Sequence, residues 1–230
     1  MTNINFDANF WAQTDGTYTG YTISGNTCTL TSNIVVSVTD GSIPIGKTLE
    51  TNGYDLEIYN ELQVITFTNK GTINNDTNIW NYENFINNGT LTSGSSSKFY
   101  NAKYFINNGT FTTEYDFTNY GVCINNGTFT CNQGNANFNN HSYLINNDSI
   151  TTRTDLPNIY NYHTILSNSV ISGEGANNLT DDSGRTGVDY EPDTNGNINI
   201  TADFTLPDSS TFEVPDGKTL KISNGVTFTI

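Results

Sequence analysis

Between residues 66 and 171 hydrophobic and polar positions alternate in runs of three to five, and each run breaks at an Asn-rich corner. The clearest runs are FINNGTLT (85–92), FINNGTFT (105–112) and CINNGTFT (123–130), with LINNDSIT (144–151) as a blurred copy. Period-two alternation of β-branched and aromatic residues predicts short β-strands, and no window carries the 3.6-residue spacing of an amphipathic helix. Aligned on Gly89, Gly109, Gly127, Asp148 and Ser169, the copies recur at intervals of 20, 18, 21 and 21 residues. A second mark, apolar-x-Asn, precedes each turn at a fixed distance: IWN (79–81), FYN (99–101), FTN (117–119), FNN (138–140) and IYN (159–161). FTNKGTI (67–73) is an earlier, less regular member.

A unit of about twenty residues with two short strands cannot bury its own apolar side, whereas stacked units can. The sequence therefore predicts an all-β solenoid, a single-stranded right-handed parallel β-helix with about 20 residues per coil. Roughly nine to eleven coils would span ~45–55 Å at the strand spacing. In such a stack each side chain lies over its counterpart one coil away. Leu91, Phe111, Phe129, Ile150 and Ile171 are expected to form one inward column, and Phe85, Phe105, Cys123, Leu144 and Ile165 another. A structural ladder is expected from Asn88, Asn108, Asn126, Asn147 and Asn168 through their side-chain amides. The position after each Asn pair is expected to need φ > 0, which Gly accepts freely and Asn or Asp tolerate.

IPIGKTLETNGYDLEI (43–58) and VPDGKTLKISNGVTFTI (214–230) align with one insertion, sharing Pro-x-Gly-Lys-Thr-Leu, then Asn-Gly, then a strand. Together with the Asn-Asn-Gly corners, they make the chain resemble right-handed parallel β-helix repeats of the pectin-lyase-like type. Such repeats occur in bacterial adhesins and in surface proteins of phages and large DNA viruses. The resemblance covers residues 34–173 and 202–230. It implies an architecture and a surface role rather than an activity, since one fold hosts many functions. Around these repeats, residues 1–33 read as an N-terminal cap segment that shields the first coil edge, and 174–201 as an irregular loop or excursion. Residues 202–230 read as further coils with an open C-terminal edge that meets either more chain or another subunit.

Composition narrows the function. Of the 230 residues only 34% are apolar, but 13 are Phe and 13 Tyr, too many for a disordered chain. The formal charge of −15 opposes binding to nucleic acid or to anionic lipid, and no apolar run reaches the ~20 residues of a membrane span. No signal peptide is visible at the start, and an extracellular or virion surface is the expected location. Cys28, Cys123 and Cys131 fit neither a disulfide framework nor a metal motif, and Cys123 is expected as a core thiol.

Candidate chemistry is sparse, and no cofactor is expected. Related β-helix enzymes degrade acidic polysaccharides with clustered acids and a base. Here no Lys or Arg shares a column with paired acids, Asp181–Asp182 lies in the irregular loop, and His141 and His163 read as corner residues. EPDTNGNINITAD (191–203) echoes a calcium loop but has Ala202 where a bidentate Glu is needed, so a polar loop is the expectation. The N-G-T corners also generate glycosylation sequons as a by-product of corner chemistry.

Two surface features remain. Trp80, Tyr100 and Tyr160 alternate with core positions and are candidate glycan contacts or subunit contacts. The pairs Thr90/Thr92, Thr110/Thr112 and Thr128/Thr130 flank core residues, so both hydroxyls of each pair face outward in two columns. The reading that results is a non-enzymatic structural or adhesive rod, spike or fibre segment that self-associates. An ice-binding solenoid using the T-x-T face is the alternative, and a polysaccharide-degrading β-helix enzyme a further one.

Overall fold

The computed structural model describes residues 2–37, 41–131, 137–152, 159–161, 163–168, 171, 197–208, 210–214 and 216–230. The chain is a parallel β-solenoid of about eight turns with about 21 residues per turn, in agreement with the predicted fold class. A turn holds three strands rather than the two expected, and its cross-section is a three-sided prism. In one turn side 1 is Lys98–Asn101, side 2 is Tyr104–Asn107 and side 3 is Thr110–Thr113. The third strand was hidden because the corner between sides 1 and 2 is only two residues long, as at Ala102–Lys103, and contains no turn-forming dipeptide.

Side 1 is an eight-stranded sheet running from Thr2–Asn3 to Ile159–Asn161. Side 2 has seven strands, from Gly41–Ile43 to Thr164–Ser167. Side 3 has nine, from Gly16–Tyr18 to Ile150–Thr152. At about 4.8 Å per strand, eight strands span roughly 34 Å, shorter than the length predicted from sequence.

The interior is a set of stacked apolar columns. Phe67, Phe85, Phe105, Cys123, Leu144 and Ile165 line side 2, and Leu91, Phe111, Phe129 and Ile150 line side 3, all buried. Phenylalanines from different sides interlock, as Phe99 does with Phe105 (4.7 Å) and Phe117 with Phe129 (5.1 Å). The N-terminal end is closed by Phe6, Phe10 and Trp11. Trp11 Nε1 donates to the Ser42 carbonyl at 2.8 Å, and Ser42 N–H donates to the Phe6 carbonyl. A single helical turn, Ala8–Trp11, capped by the Asp7 carboxylate, places the aromatics there. Thr27–Leu30 already pairs in parallel with Thr48–Glu50, so the expected cap segment 1–33 merges into the stack before residue 33.

Residues 172–196, which contain most of the expected loop 174–201 and the start of the calcium-like stretch, lie outside the described residues. Ile198–Ile200, assigned to that loop from sequence, is a strand. It pairs with Leu220–Ile222, and Phe204–Thr205 pairs with Phe228–Thr229. These strands form separate two-stranded sheets and are not hydrogen-bonded into the three main ones. Their apolar residues instead pack on Leu166 and Tyr143, on the outside of side 2.

Candidate functional site: the outward columns of the solenoid

The corners explain why asparagine dominates the repeat. At the corner between sides 2 and 3 the last strand residue is a fully buried Asn, and these form a continuous ladder, Asn69–Asn87–Asn107–Asn125–Asn146. Each Nδ2 donates to the Oδ1 one coil ahead at 2.8 Å and also to a corner carbonyl of that coil, as Asn87 does to Thr110 and Asn107 to Thr128. A second buried ladder, Asn81–Asn101–Asn119–Asn140–Asn161, occupies the corner between sides 1 and 2. Both satisfy corner carbonyls that would otherwise be buried without a donor.

The residues expected to form the ladder stand next to the buried one, on the surface. Asn108 donates to Asn88, Asn126 to Asn108 and Asn147 to Asn126, each at 2.8 Å, and Asn168 donates to the Asn147 carbonyl. Sequence reading placed one ladder on the outer Asn and missed the two interior ones, although the invariant apolar-x-Asn mark was their signature.

The expected positive φ at Gly89, Gly109, Gly127 and Asp148 is not found. Among the described residues the left-handed region is used by Gly20, Gly25, Gly46, Gly53, Gly217, Gly225 and Asn52. Gly109 is required for another reason: a Cβ there would lie 2.1 Å from the Gly89 carbonyl oxygen of the coil below. The corners of consecutive coils touch backbone to backbone.

Side 3 presents the threonines. Strand register aligns Thr27, Thr48, Thr72, Thr90, Thr110 and Thr128 in one outward column. The parallel column reads Thr29, Glu50, Asn74, Thr92, Thr112, Thr130 and Thr151. Thr90, Thr110 and Thr128 are exposed, and Thr92, Thr112 and Thr130 are half-buried.

On side 1 the outward column contains Trp80, Tyr100, Thr118, Asn139 and Tyr160. Trp80 and Tyr100 stack at 4.1 Å with their planes 6° apart. One face of each ring is thereby covered by the other, and the pair presents ring edges outward.

Side 2 carries a feature the sequence reading missed. Its outward column is aliphatic: Ile86, Ile106, Ile124, Ile145 and Leu166 in register. Ile124, Ile145 and Leu166 are buried, whereas Ile86 and Ile106 are half-buried. The chain near residues 204–213 lies against this side. Tyr104 Oη donates to the Asp208 carbonyl, Asn147 Nδ2 to that of Thr211, and Asn168 Nδ2 to that of Glu213. The available signal was the Ile after the core residue in F-I-N-N, where alternation calls for a polar side chain.

The titratable groups are mostly structural. Burial pushes the Cys28 and Cys131 thiols up to about 12, and it raises that of Cys123 as well. His141 stacks on Tyr120 at 4.6 Å, and His163 meets Tyr143 edge-on at 4.6 Å. Lys103 pairs with the buried Glu83 at 2.6 Å along the corner between sides 1 and 2. Among the described residues, no group of three or more His, Cys, Asp or Glu side chains is placed to hold a metal ion. No protein-family model, curated protein or solved structure matches this chain.

Proposed function

We propose that this chain is a stiff, non-enzymatic structural or adhesive module, a rod, spike or fibre segment of a virion or cell surface that associates with further copies or subunits. The observation that carries the reading is the pair of uninterrupted buried amide ladders. They bind each coil to the next through side chains as well as strand backbone, and so resist bending and local opening. The outward columns supply long, regular faces suited to repeated weak contacts. Light scattering across a concentration series, with negative-stain electron microscopy, tests this. Rods or discrete oligomers are expected, and a monomer at all concentrations would overturn the self-association.

A second reading, ice binding, is favoured by one specific observation: the six-residue threonine column on side 3 with its partner column beside it. β-Branched hydroxyls at fixed strand spacing form a flat two-dimensional array. Faceted ice crystals from the unmodified protein and rounded ones from Thr110→Tyr would support this reading. Rounded crystals from both would exclude it.

A further inference from the structure

At the capped N-terminal end, a surface cavity of about 470 Å³ lies between the first side-1 strand, the helical turn and the side-3 hairpin. Its volume falls in the roughly 300–1,000 Å³ range of small-ligand clefts. Asn3, Asn5 and Asn9 line it together with Asp7, Gln13 and Tyr21. The buried asparagines of the two ladders are committed to one another and to corner carbonyls, which makes these three stand out. Asn3, Asn5 and Asn9 are exposed, and among the described residues no other side chain or backbone group hydrogen-bonds to their side-chain amides. Gln13 spends only its Oε1, which accepts from Tyr21 Oη at 2.9 Å. Asp7 uses Oδ1 to cap the helical turn. The buried side chains of Ile4 and Phe10 form an apolar floor beneath these groups.

We infer that this cavity is a binding site for a neutral carbohydrate. Amides offer a donor and an acceptor each, the pairing that vicinal hydroxyls require, and an apolar floor with an aromatic wall suits the C–H face of a sugar ring. The one charged lining residue is acidic and the chain carries −15, so uronic and sialic acids, phosphates and sulfates are disfavoured. The site lies on the closed end of the stack, away from the Trp80–Tyr100 pair on side 1. The inference rests on the adhesive reading and gives it a ligand class and a location.

The test is an NMR titration of the side-chain amide resonances of the full chain with lactose, maltotriose and the trimer of N-acetylglucosamine, with 3′-sialyllactose as the anionic probe. Saturable shifts confined to Asn3, Asn5, Asn9 and Gln13 are expected with at least one neutral sugar. Asn5→Ala and Asn9→Ala, both exposed and unpaired, should each weaken binding roughly tenfold, the equivalent of one good hydrogen bond. Trp80→Ala should leave it unchanged. Absence of saturable shifts with all three neutral sugars, equal binding of the sialylated probe, or loss of binding in Trp80→Ala would overturn the inference. Light scattering without sugar reports separately on assembly, so the site and the rod reading can fail independently.

Discussion

Asn107 and Asn108 are neighbours in sequence, yet their amides point in opposite directions along the axis. Asn107 donates forward to Asn125, and Asn108 donates backward to Asn88, both at 2.8 Å. Asn107 is fully buried and also serves the Thr128 carbonyl, while Asn108 is exposed. Asn107→Ala would leave the Asn125 oxygen and the Thr128 carbonyl short of a donor, and is expected to cost about 3 kcal/mol or more. Asn108→Ala should cost less than about 1 kcal/mol. Urea unfolding of the two variants checks this, and equal losses would contradict the assignment of the interior ladder.

Gly109→Ala should be among the most damaging small substitutions. Its Cβ would meet the Gly89 carbonyl oxygen at 2.1 Å, and neither backbone can yield without parting the coils. A loss of about 3 kcal/mol is expected. Gly46→Ala is the control. It has φ +78° and nothing within 4 Å of the added carbon, so only the left-handed penalty of about 1–2 kcal/mol applies. Thermal unfolding of both variants should rank them in that order.

The buried thiols tie stability to alkaline pH. Cys28 and Cys131 are raised to about 12 by burial, so the folded state holds their protons more tightly than the unfolded chain, where a thiol titrates near ~8.5. Stability should be full below that value and fall as pH rises from there toward 12. Cys131→Val should flatten the decline in urea midpoints between neutral and alkaline pH. The native thiols should also stay inert to a thiol reagent until the protein is denatured.

Asp76 works at the other end of the scale. Burial alone would raise its carboxyl, but hydrogen bonds from the Gly53 N–H (2.8 Å) and Thr51 Oγ1 (2.6 Å) outweigh that and hold it below the usual range. A depressed folded-state value stabilises the protein above the unfolded carboxylate value of ~3.9, and the gain is lost as pH falls through the folded one. The stability difference between the unmodified chain and Asp76→Asn should therefore be larger at pH 6 than in strong acid. A constant difference would count against the role.

The solenoid was legible because its period is written twice, in the Asn-Asn-Gly corner and in the apolar-x-Asn mark. Inward columns such as Phe85–Phe105–Cys123 followed from strand alternation alone. The outer ladder of Asn88, Asn108, Asn126 and Asn147 forms as expected, but the inner one went unseen because both asparagines of a pair have the same chemistry, and only the direction of the chain at the corner decides which turns inward. Positive φ at Gly109 was expected from general glycine behaviour, whereas the actual demand, contact with Gly89 in the coil below, is a tertiary one. The aliphatic column Ile86–Leu166 was passed over because what lies against it is some forty residues and more away in sequence. The end cavity unites residues with no shared motif, so nothing local marks it.

From Asn81 onward the two corners that carry buried ladders keep a constant spacing, the next inward residue falling four positions after each ladder Asn, as at Asn87–Leu91 and Asn146–Ile150, while the third varies. There the inward positions are Ser93, Thr113, Cys131 and Thr152, which form no such chain of amides. An amide can reach its neighbour only if successive corners trace the same path, so ladders forbid insertions where they run. The third edge is free of that restraint: its corner is four residues at 94–97 and three at 114–116. New loops can be grafted along one ridge of the prism while the other two stay fixed, leaving a scaffold whose surface can diversify without renegotiating its interior.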